Sequence, residues 1–293
     1  MRLVAFKENG RSGLAVRCSG DSFHGLREGE PGYPGTLDRF LQLDRTQRAA
    51  AVQALRRGAP VDLTAVEMLP PLQNPGKIIC VGLNYRDHAS ESGMQLPDYP
   101  TLFARFCSSL VAHRAPIVRP CDSDRLDYEG ELVAVIGKGG RRIPKESALE
   151  HVAGYSIFND SSVRDFQLRT PQWTMGKNFD GTGAFGPTFV TADELPPGAR
   201  GLAIETRLNG EIMQRASTDD LIFDVPTLVS LISVGITLAP GDLIVTGTPS
   251  GVGGARKPPL FMKPGDLCEV EIERIGILSN EVVEESALQV DVT

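Results

Sequence analysis

Acidic residues alternate along a short segment near the middle of the chain. The segment reads Asp127-Tyr-Glu129-Gly-Glu131 and runs directly into the apolar residues 132–136. As a strand, it would place the three carboxylates on one face and the side chain of Leu132 on the other. Neighbouring carboxylates repel each other unless water or a cation neutralises them, and Mg2+, Mn2+ and Ca2+ prefer oxygen ligands. The residues alone leave two readings open, a divalent-metal site and an exposed acidic strand end.

A further carboxylate follows the next expected strand. Residues 155–158 predict a strand, Asn159-Asp160 would end it, and residues 161–167 predict a short helix. Asp160 could cap that helix, and Arg164, four residues later, could form a salt bridge with it. The functional alternative makes Asp160 a metal ligand and Arg164 the cation that receives an anionic substrate group.

The elements that would position these residues predict an α+β fold dominated by β-structure. Residues 1–72 are expected to form a small N-terminal α/β domain, with strands at 3–6 and 13–16 and one or two helices within 36–57. Pro70-Pro71 and Asn74-Pro75-Gly76 then interrupt the chain. Residues 73–293 form the larger expected domain. Its expected strands are 78–81, 132–136, 155–158, 204–208, 243–245 and 268–272, with a hairpin at Asn209-Gly210 and a helix at 226–234.

Composition limits the partners and the compartment. The 293 residues carry a formal net charge of −7, which disfavours nucleic acid and anionic membrane surfaces. The five cysteines lie at neither metal-finger nor redox spacing, as expected for reduced thiols in the cytoplasm. We expect neither a secretory leader nor a membrane span, because no apolar run is long enough.

Several ordered motifs resemble the fumarylacetoacetate hydrolase family, in the bacterial branch of acylpyruvate hydrolases and 2-oxo-acid decarboxylases. They are Gly-Leu-Asn-Tyr-Arg-Asp-His ending at His88, the Glu129–Glu131 segment, Asn-Asp-Ser-Ser-Val-Arg-Asp-Phe-Gln ending at Gln167, Gly-Lys-Asn-Phe at 176–179, and Gly-Thr-Pro-Ser-Gly at 247–251. The resemblance runs from about residue 76 onward. It implies a mixed β-sandwich roll, a homodimer, and Mg2+ or Mn2+ bound by Glu129, Glu131 and Asp160. Asp127 would then lie outside the ligand set.

The same resemblance implies roles for residues around the metal. His88 and Glu91, three apart, would form a general-base dyad on a closing segment, although an unrelated surface pair is the alternative. Lys177 would stabilise an oxyanion or a carboxylate, and its alternative is a solvated lysine. Arg164, Gln167 and Thr248 would contact substrate. Arg105 stands where many relatives carry lysine, so it would either contact the distal part of the substrate or lie on the surface.

The leading hypothesis is hydrolysis of a carbon–carbon bond in a 2,4-dioxo acid such as an acylpyruvate. His88, oriented by Glu91, would activate water for attack at C4, with the metal bound to the C1 carboxylate and the C2 oxygen. Pyruvate and a carboxylic acid would leave. Decarboxylation of oxaloacetate or of a ring-fission diacid, and keto–enol or double-bond isomerisation of a 2-hydroxy-dienedioate, fit the same residues. A metal-stabilised binding protein without activity is the alternative outside enzymes.

Overall fold

Strands dominate the structure, a computed structural model that describes residues 1–86 and 98–287. The strands are β1 (Arg2–Glu8), β2 (Arg11–Ser19), β3 (Ser22–Arg27), β4 (Ala59–Val61), β5 (Glu67–Met68), β6 (Ile78–Gly82), β7 (Thr101–Arg105), β8 (Leu110–Ala112), β9 (Ile117–Arg119), β10 (Leu126–Asp127), β11 (Gly130–Ile136), β12 (Val152–Asp160), β13 (Ser162–Val163), β14 (Gly183–Thr191), β15 (Ala203–Leu208), β16 (Glu211–Ser217), β17 (Leu243–Val245), β18 (Leu267–Ile272) and β19 (Gly276–Glu284). The helices are α1 (Leu37–Phe40), α2 (Arg45–Arg57), α3 (Arg164–Gln167), α4 (Thr174–Lys177) and α5 (Val225–Gly235), and short 3-10 turns occur between them.

Two mixed sheets organise these strands. The larger has 12 strands, with the central order β4-β3-β2-β1-β14-β12-β11-β17-β6-β7, while β5 adds to β1 and β8 adds to β14. The smaller has five strands in the order β16-β15-β18-β19-β9, and β10 pairs with β13 in a separate ribbon. The predicted α+β, mostly β class is therefore confirmed.

Strand β11 is buried over its whole length, between β12 and β17. Its alternate side chains enter two different clusters of the core. Leu132 and Ala134 belong to one cluster, and Val133 and Val135 to the other. A strand covered on both faces is typically a continuous apolar run, which explains residues 132–136, while Glu131 at the start of β11 is a buried exception.

Local signals in the sequence match the observed elements closely. Asn209 and Gly210 connect β15 to β16 with φ angles of 52° and 82°, as a type I′ hairpin turn requires. The Asp44 side chain caps α2 in a reciprocal capping box, and Asp224 caps α5. The helix expected at 161–167 is shorter than predicted, because residues 162 and 163 pair with β10 first.

The N-terminal segment shares both sheet and core with the rest of the chain. Strand β1 pairs with β14, so β1 to β4 extend the large sheet. Phe40 of α1 and Leu55 of α2 lie in the same core cluster as Val133 and Leu243. The boundary near residue 72 stays a prediction.

Candidate active site and metal centre

Three carboxylates converge where β11 begins and β12 ends. Asp160 is the last residue of β12, and its backbone N–H donates to the carbonyl of Glu129 at 2.8 Å. Glu131 lies opposite Phe158 in the same antiparallel pair. Because opposed residues, and residues two apart on one strand, share a face, all three carboxylates point the same way. Each offers an oxygen within 4.8 Å of the others, and all three are buried.

Asp127 does not belong to this group. The expectation of one strand through residues 127–131 is wrong, because β10 ends at Asp127 and β11 starts only at Gly130. The Asp127 carboxylate instead accepts hydrogen bonds from the N–H groups of Gly253 and Gly254, at 2.7 and 2.8 Å. It also pairs with Arg164 Nε at 2.7 Å. Asp127 thus ties the glycine-rich C-terminal segment to the site.

Lys177, on α4, lies between two of the three carboxylates. Its Nζ is 2.7 Å from Glu129 Oε2 and 2.6 Å from Asp160 Oδ2. Burial alone would lower the pKa of Lys177, but the charges of Asp160 and Glu129 outweigh it and raise the pKa. The ammonium therefore stays protonated, so a solvated surface lysine is not what the structure shows.

Arg164 and Gln167, on α3, meet the other side of Glu129. Arg164 Nη1 lies 2.6 Å from Glu129 Oε1 and donates to Gln167 Oε1 at 2.9 Å. The expected salt bridge to Asp160 is replaced by the pairs with Asp127 and Glu129. These charges raise the pKa of Arg164 against the opposing effect of burial. Within the described residues, its buried Nη2 has no hydrogen-bond partner, so the two N–H groups of this nitrogen remain for a ligand.

Arg105 lies behind Asp160 and not in the cavity. Its side chain is fully buried, with Nη1 2.5 Å from Asp160 Oδ1. It also donates to the Ser161 carbonyl at 3.1 Å and to Thr182 Oγ1 at 2.7 Å. This position matches neither expectation from the sequence, a distal substrate contact or a surface residue. The guanidinium instead contacts a carboxylate of the candidate metal site.

The glycine-rich loop after β17 supports Glu131. The N–H of Gly247 donates to Glu131 Oε2 at 2.6 Å. Thr248, which lines the cavity, donates to the Gly130 carbonyl at 3.0 Å and accepts from Gln214 Nε2 at 2.8 Å. Sequence reasoning missed Gln214, because it stands in the ordinary strand β16 and only the fold brings it to Gly130.

Charge balance favours a cation at the carboxylates. Burial, followed by the charges of Asp160 and Glu129, raises the pKa of Glu131 well above its usual value. A bound divalent cation would relieve this repulsion, and an all-oxygen donor set fits Mg2+ or Mn2+. With all four acids ionised, the described groups around the cluster would carry four negative and three positive charges: Asp127, Glu129, Glu131 and Asp160 against Arg105, Arg164 and Lys177.

An open cavity of about 860 Å³ leads to this cluster. Glu129, Glu131, Lys177, Arg164 and Gln167 line it together with Thr248. The structure thus brings together every described residue predicted for the site. Asp160 and Arg105 contact each other but do not line the cavity. His88 and Glu91 lie outside the described residues.

Comparison with known proteins agrees with this geometry. The family model described as fumarylacetoacetate (FAA) hydrolase C-terminal matches residues 77–283. Over 289 residues the chain is 39% identical to the mitochondrial oxaloacetate tautomerase of Rattus norvegicus, covering 97% of this chain and 92% of that protein.

Two solved structures share the fold over nearly the whole chain. A fumarylacetoacetate hydrolase from psychrophilic Exiguobacterium antarcticum is 38% identical with a TM-score of 0.83, covering 97% of this chain and 100% of that one. Maleylpyruvate hydrolase from Sphingobium sp. SYK-6, in complex with manganese(II) and pyruvate, is 30% identical with a TM-score of 0.79, covering 97% and 99%. With its buried carboxylates placed at the junction of β11 and β12, the chain belongs to the fumarylacetoacetate hydrolase family.

Proposed function

We propose that this enzyme uses a divalent metal to move a proton between C3 and the C2 oxygen of a 2-oxo acid, with oxaloacetate as the first substrate to test. The observation that best supports this proposal is the set of three buried carboxylates beside Lys177 and Arg164, at the inner end of one cavity. The similarity to an oxaloacetate tautomerase over 97% of the chain favours this reaction.

The acidic and the basic residues of the site would have different roles. Glu129, Glu131 and Asp160 would hold Mg2+ or Mn2+, which supplies Lewis-acid stabilisation of negative charge on the C2 oxygen. Lys177 is held protonated by two carboxylates, so it presents a fixed positive charge to a developing oxyanion. The Nη2 group of Arg164, which has no hydrogen-bond partner among the described residues, is suited to a substrate carboxylate, with Gln167 and Thr248 as further polar contacts.

Hydrolysis of a 2,4-dioxo acid is the second candidate. The similarity to a maleylpyruvate hydrolase that binds manganese and pyruvate favours it. His88, oriented by Glu91, would activate the water that attacks C4 in this reaction. Decarboxylation of oxaloacetate would use the same head-group contacts.

One assay panel separates these reactions. Purified enzyme with Mg2+, Mn2+ or excess chelator is given enol oxaloacetate, keto oxaloacetate and acetylpyruvate, and loss of enol, release of carbon dioxide and release of acetate are followed. We expect metal-dependent loss of enol.

The Glu131→Gln variant should have a kcat/KM lower by about 100-fold or more. The control is Glu281→Gln, since Glu281 is an exposed acid on β19, and it should leave kcat/KM unchanged. Acetate as the main product would favour hydrolysis, and full turnover of every substrate by Glu131→Gln would refute the metal centre.

The remaining proposals concern assembly and location. We infer a homodimer that acts in the cytoplasm on a small anionic oxo acid, without nucleic acid or membrane partners. In the part of the chain that the structure describes, no helix is long and apolar enough to cross a membrane. Light scattering of the protein as it elutes from a size-exclusion column should give about twice the mass of one chain. The mass of a single chain would refute the dimer.

A further inference from the structure

The outer part of the cavity has a different chemistry from its inner end. Beside the carboxylates and their cations, the lining includes several apolar side chains: Phe103, Leu168, Trp173, Val252, Pro259 and Phe261. A volume of about 860 Å³ is typical of sites for drug-sized ligands. Among the described residues, a four-carbon diacid bound beside the carboxylates would leave these apolar side chains without a partner.

Aromatic rings connect the two ends of the cavity. Lys177 Nζ lies 4.9 Å from the centroid of the Phe103 ring, and that ring packs edge-on against Trp173 at 5.3 Å. The indole therefore lies at most about 10 Å from the ammonium group. A substrate with its head group beside the ammonium needs a short carbon chain that ends in a ring to cover that distance.

Backbone packing holds the indole in place. A Cβ atom added to Gly82, at the end of β6, would lie 2.4 Å from Trp173 Cζ3. Only glycine permits so close an approach of backbone to ring. The aromatic wall is thus a built part of the cavity, because β6 and β7 both contact it.

The charged groups of the outer cavity offset one another. Arg125 and Arg169 line it, but so do Asp124 and Asp165. Arg169 lies over the Phe166 ring at 3.8 Å, which holds it by a cation–π contact. With two positive and two negative side chains among the described residues, this region gives no net attraction for a second carboxylate. Removal of apolar surface from water is then the dominant favourable term.

We propose that the outer cavity is a subsite for an apolar, preferably aromatic, group at the end of the 2-oxo acid remote from its carboxylate, with Trp173 as the specificity-determining residue. This assignment rests on the proposed function, since the inner end must hold the oxo-acid head. It makes the preferred substrate larger than oxaloacetate.

Calorimetric binding to manganese-loaded protein tests the subsite without turnover. The ligands are oxalate as the head alone, 2-oxobutanoate with a short tail, 2-oxoglutarate with an anionic tail, and 2-oxo-4-phenylbutanoate with an aromatic tail. We expect the phenyl compound to bind at least about tenfold more tightly than 2-oxobutanoate, because a buried ring removes far more apolar surface than a methyl group. The anionic tail should give no comparable gain.

Variants of Trp173 test whether the tighter binding of the phenyl compound depends on the indole. Trp173→Ala should weaken binding of the phenyl compound about tenfold or more and change oxalate binding less than about twofold, while Trp173→Phe should keep part of the gain. Met175→Ala is the matched control, since Met175 belongs to the neighbouring helix, is 63% exposed and does not line this cavity. It should bind every ligand as the unchanged protein does.

Each remaining outcome is decisive. If oxalate binds but the phenyl group gives no gain, if 2-oxoglutarate binds most tightly, or if Trp173→Ala weakens oxalate equally, the subsite is wrong. If oxalate does not bind, the proposed function is wrong instead. The fluorescence of Trp173, the only tryptophan of the chain, then decides the subsite separately. A saturable change on adding 4-phenylbutanoate supports it, and no change overturns it.

Discussion

Asp160 is held on both of its carboxylate oxygens by buried cations. Arg105 contacts Oδ1 and Lys177 contacts Oδ2. The guanidinium makes further hydrogen bonds to Ser109, Ser161 and Thr182 in a fixed plane. A lysine ammonium cannot reproduce that planar set of contacts. Arg105 would therefore act on the proposed metal centre through the orientation of Asp160.

We expect Arg105→Gln to weaken Mn2+ binding by about 10- to 100-fold, because it removes the partner that orients a ligand. Arg105→Lys should recover part of this loss, since charge returns without the planar fork. Calorimetric Mn2+ titration measures both, with Arg45→Gln, an exposed arginine of α2, as the control. Unchanged or tighter Mn2+ binding by Arg105→Gln would show that repulsion between the guanidinium and the metal outweighs orientation.

His113 makes stability depend on pH away from the metal centre. Its Nδ1 accepts a hydrogen bond from the N–H of Ser279 at 3.1 Å, which requires a neutral ring. Burial, with a smaller effect of Arg114, lowers the pKa of His113 to about 4. In the unfolded chain a histidine titrates near pH 6.5. Between these values the unfolded state binds more protons, so stability falls as the pH falls from about 6.5 to about 4.

The His113→Asn variant should lack the part of the stability loss at low pH that His113 causes. We expect the unchanged protein to lose about 1 to 2 kcal/mol more unfolding free energy than the variant on going from pH 7 to pH 4, allowing for the partial exposure of the ring. Urea titrations at both pH values give the difference. Parallel pH dependence in the two proteins would contradict a role for this histidine.

At the scale of elements, two short helices place three of the site residues. Helix α3 carries Arg164 and Gln167, and α4 ends at Lys177. They touch at Gly176, where an added Cβ would lie 2.3 Å from the backbone nitrogen of Gln167. Any larger residue at Gly176 must separate the two helices.

Gly176→Ala should therefore misplace Lys177 and Gln167 together. Because a shift of about 1 Å can cost about 100-fold in rate, we expect kcat/KM for the preferred oxo acid to fall by that order and the Tm to decrease. Gly235→Ala is the matched control, since an added Cβ there meets nothing within 4 Å. A Gly176→Ala enzyme with full activity would show that the helices can separate without harm.

Local patterns predicted local structure well and long-range contacts poorly. The apolar run in β11, the Asn209-Gly210 turn and the helix near residue 226 depend on neighbours in sequence, and all three appear. The strand break after Asp127 depends on N–H groups 126 and 127 residues later in the chain. The pairing of Arg105 with Asp160 likewise joins residues 55 apart. Composition and periodicity carry no signal for either contact.

At the scale of the whole molecule, the first 72 residues complete the core behind the site. Phe40 is 1% exposed and shares its cluster with Val133 of β11 and Phe158 of β12. Phe158 in turn lies under the Arg105 guanidinium at 5.5 Å. A continuous path of packed side chains therefore joins the N-terminal helices to the carboxylate cluster, and we expect both regions to unfold together.

Phe40→Ala tests that coupling. Truncation of a buried phenylalanine costs about 3 to 5 kcal/mol, which should lower the Tm of a chain this long by roughly 5 to 15 °C. Far-ultraviolet circular dichroism reports on all strands, and the fluorescence of Trp173 reports on the cavity. Both signals should shift by the same amount in one transition, while Gln53→Ala, exposed on α2, should leave them unchanged. If Trp173 kept its original midpoint while part of the dichroism was lost earlier, the segment before residue 72 would unfold as a separate domain, and the shared core would not couple it to the site.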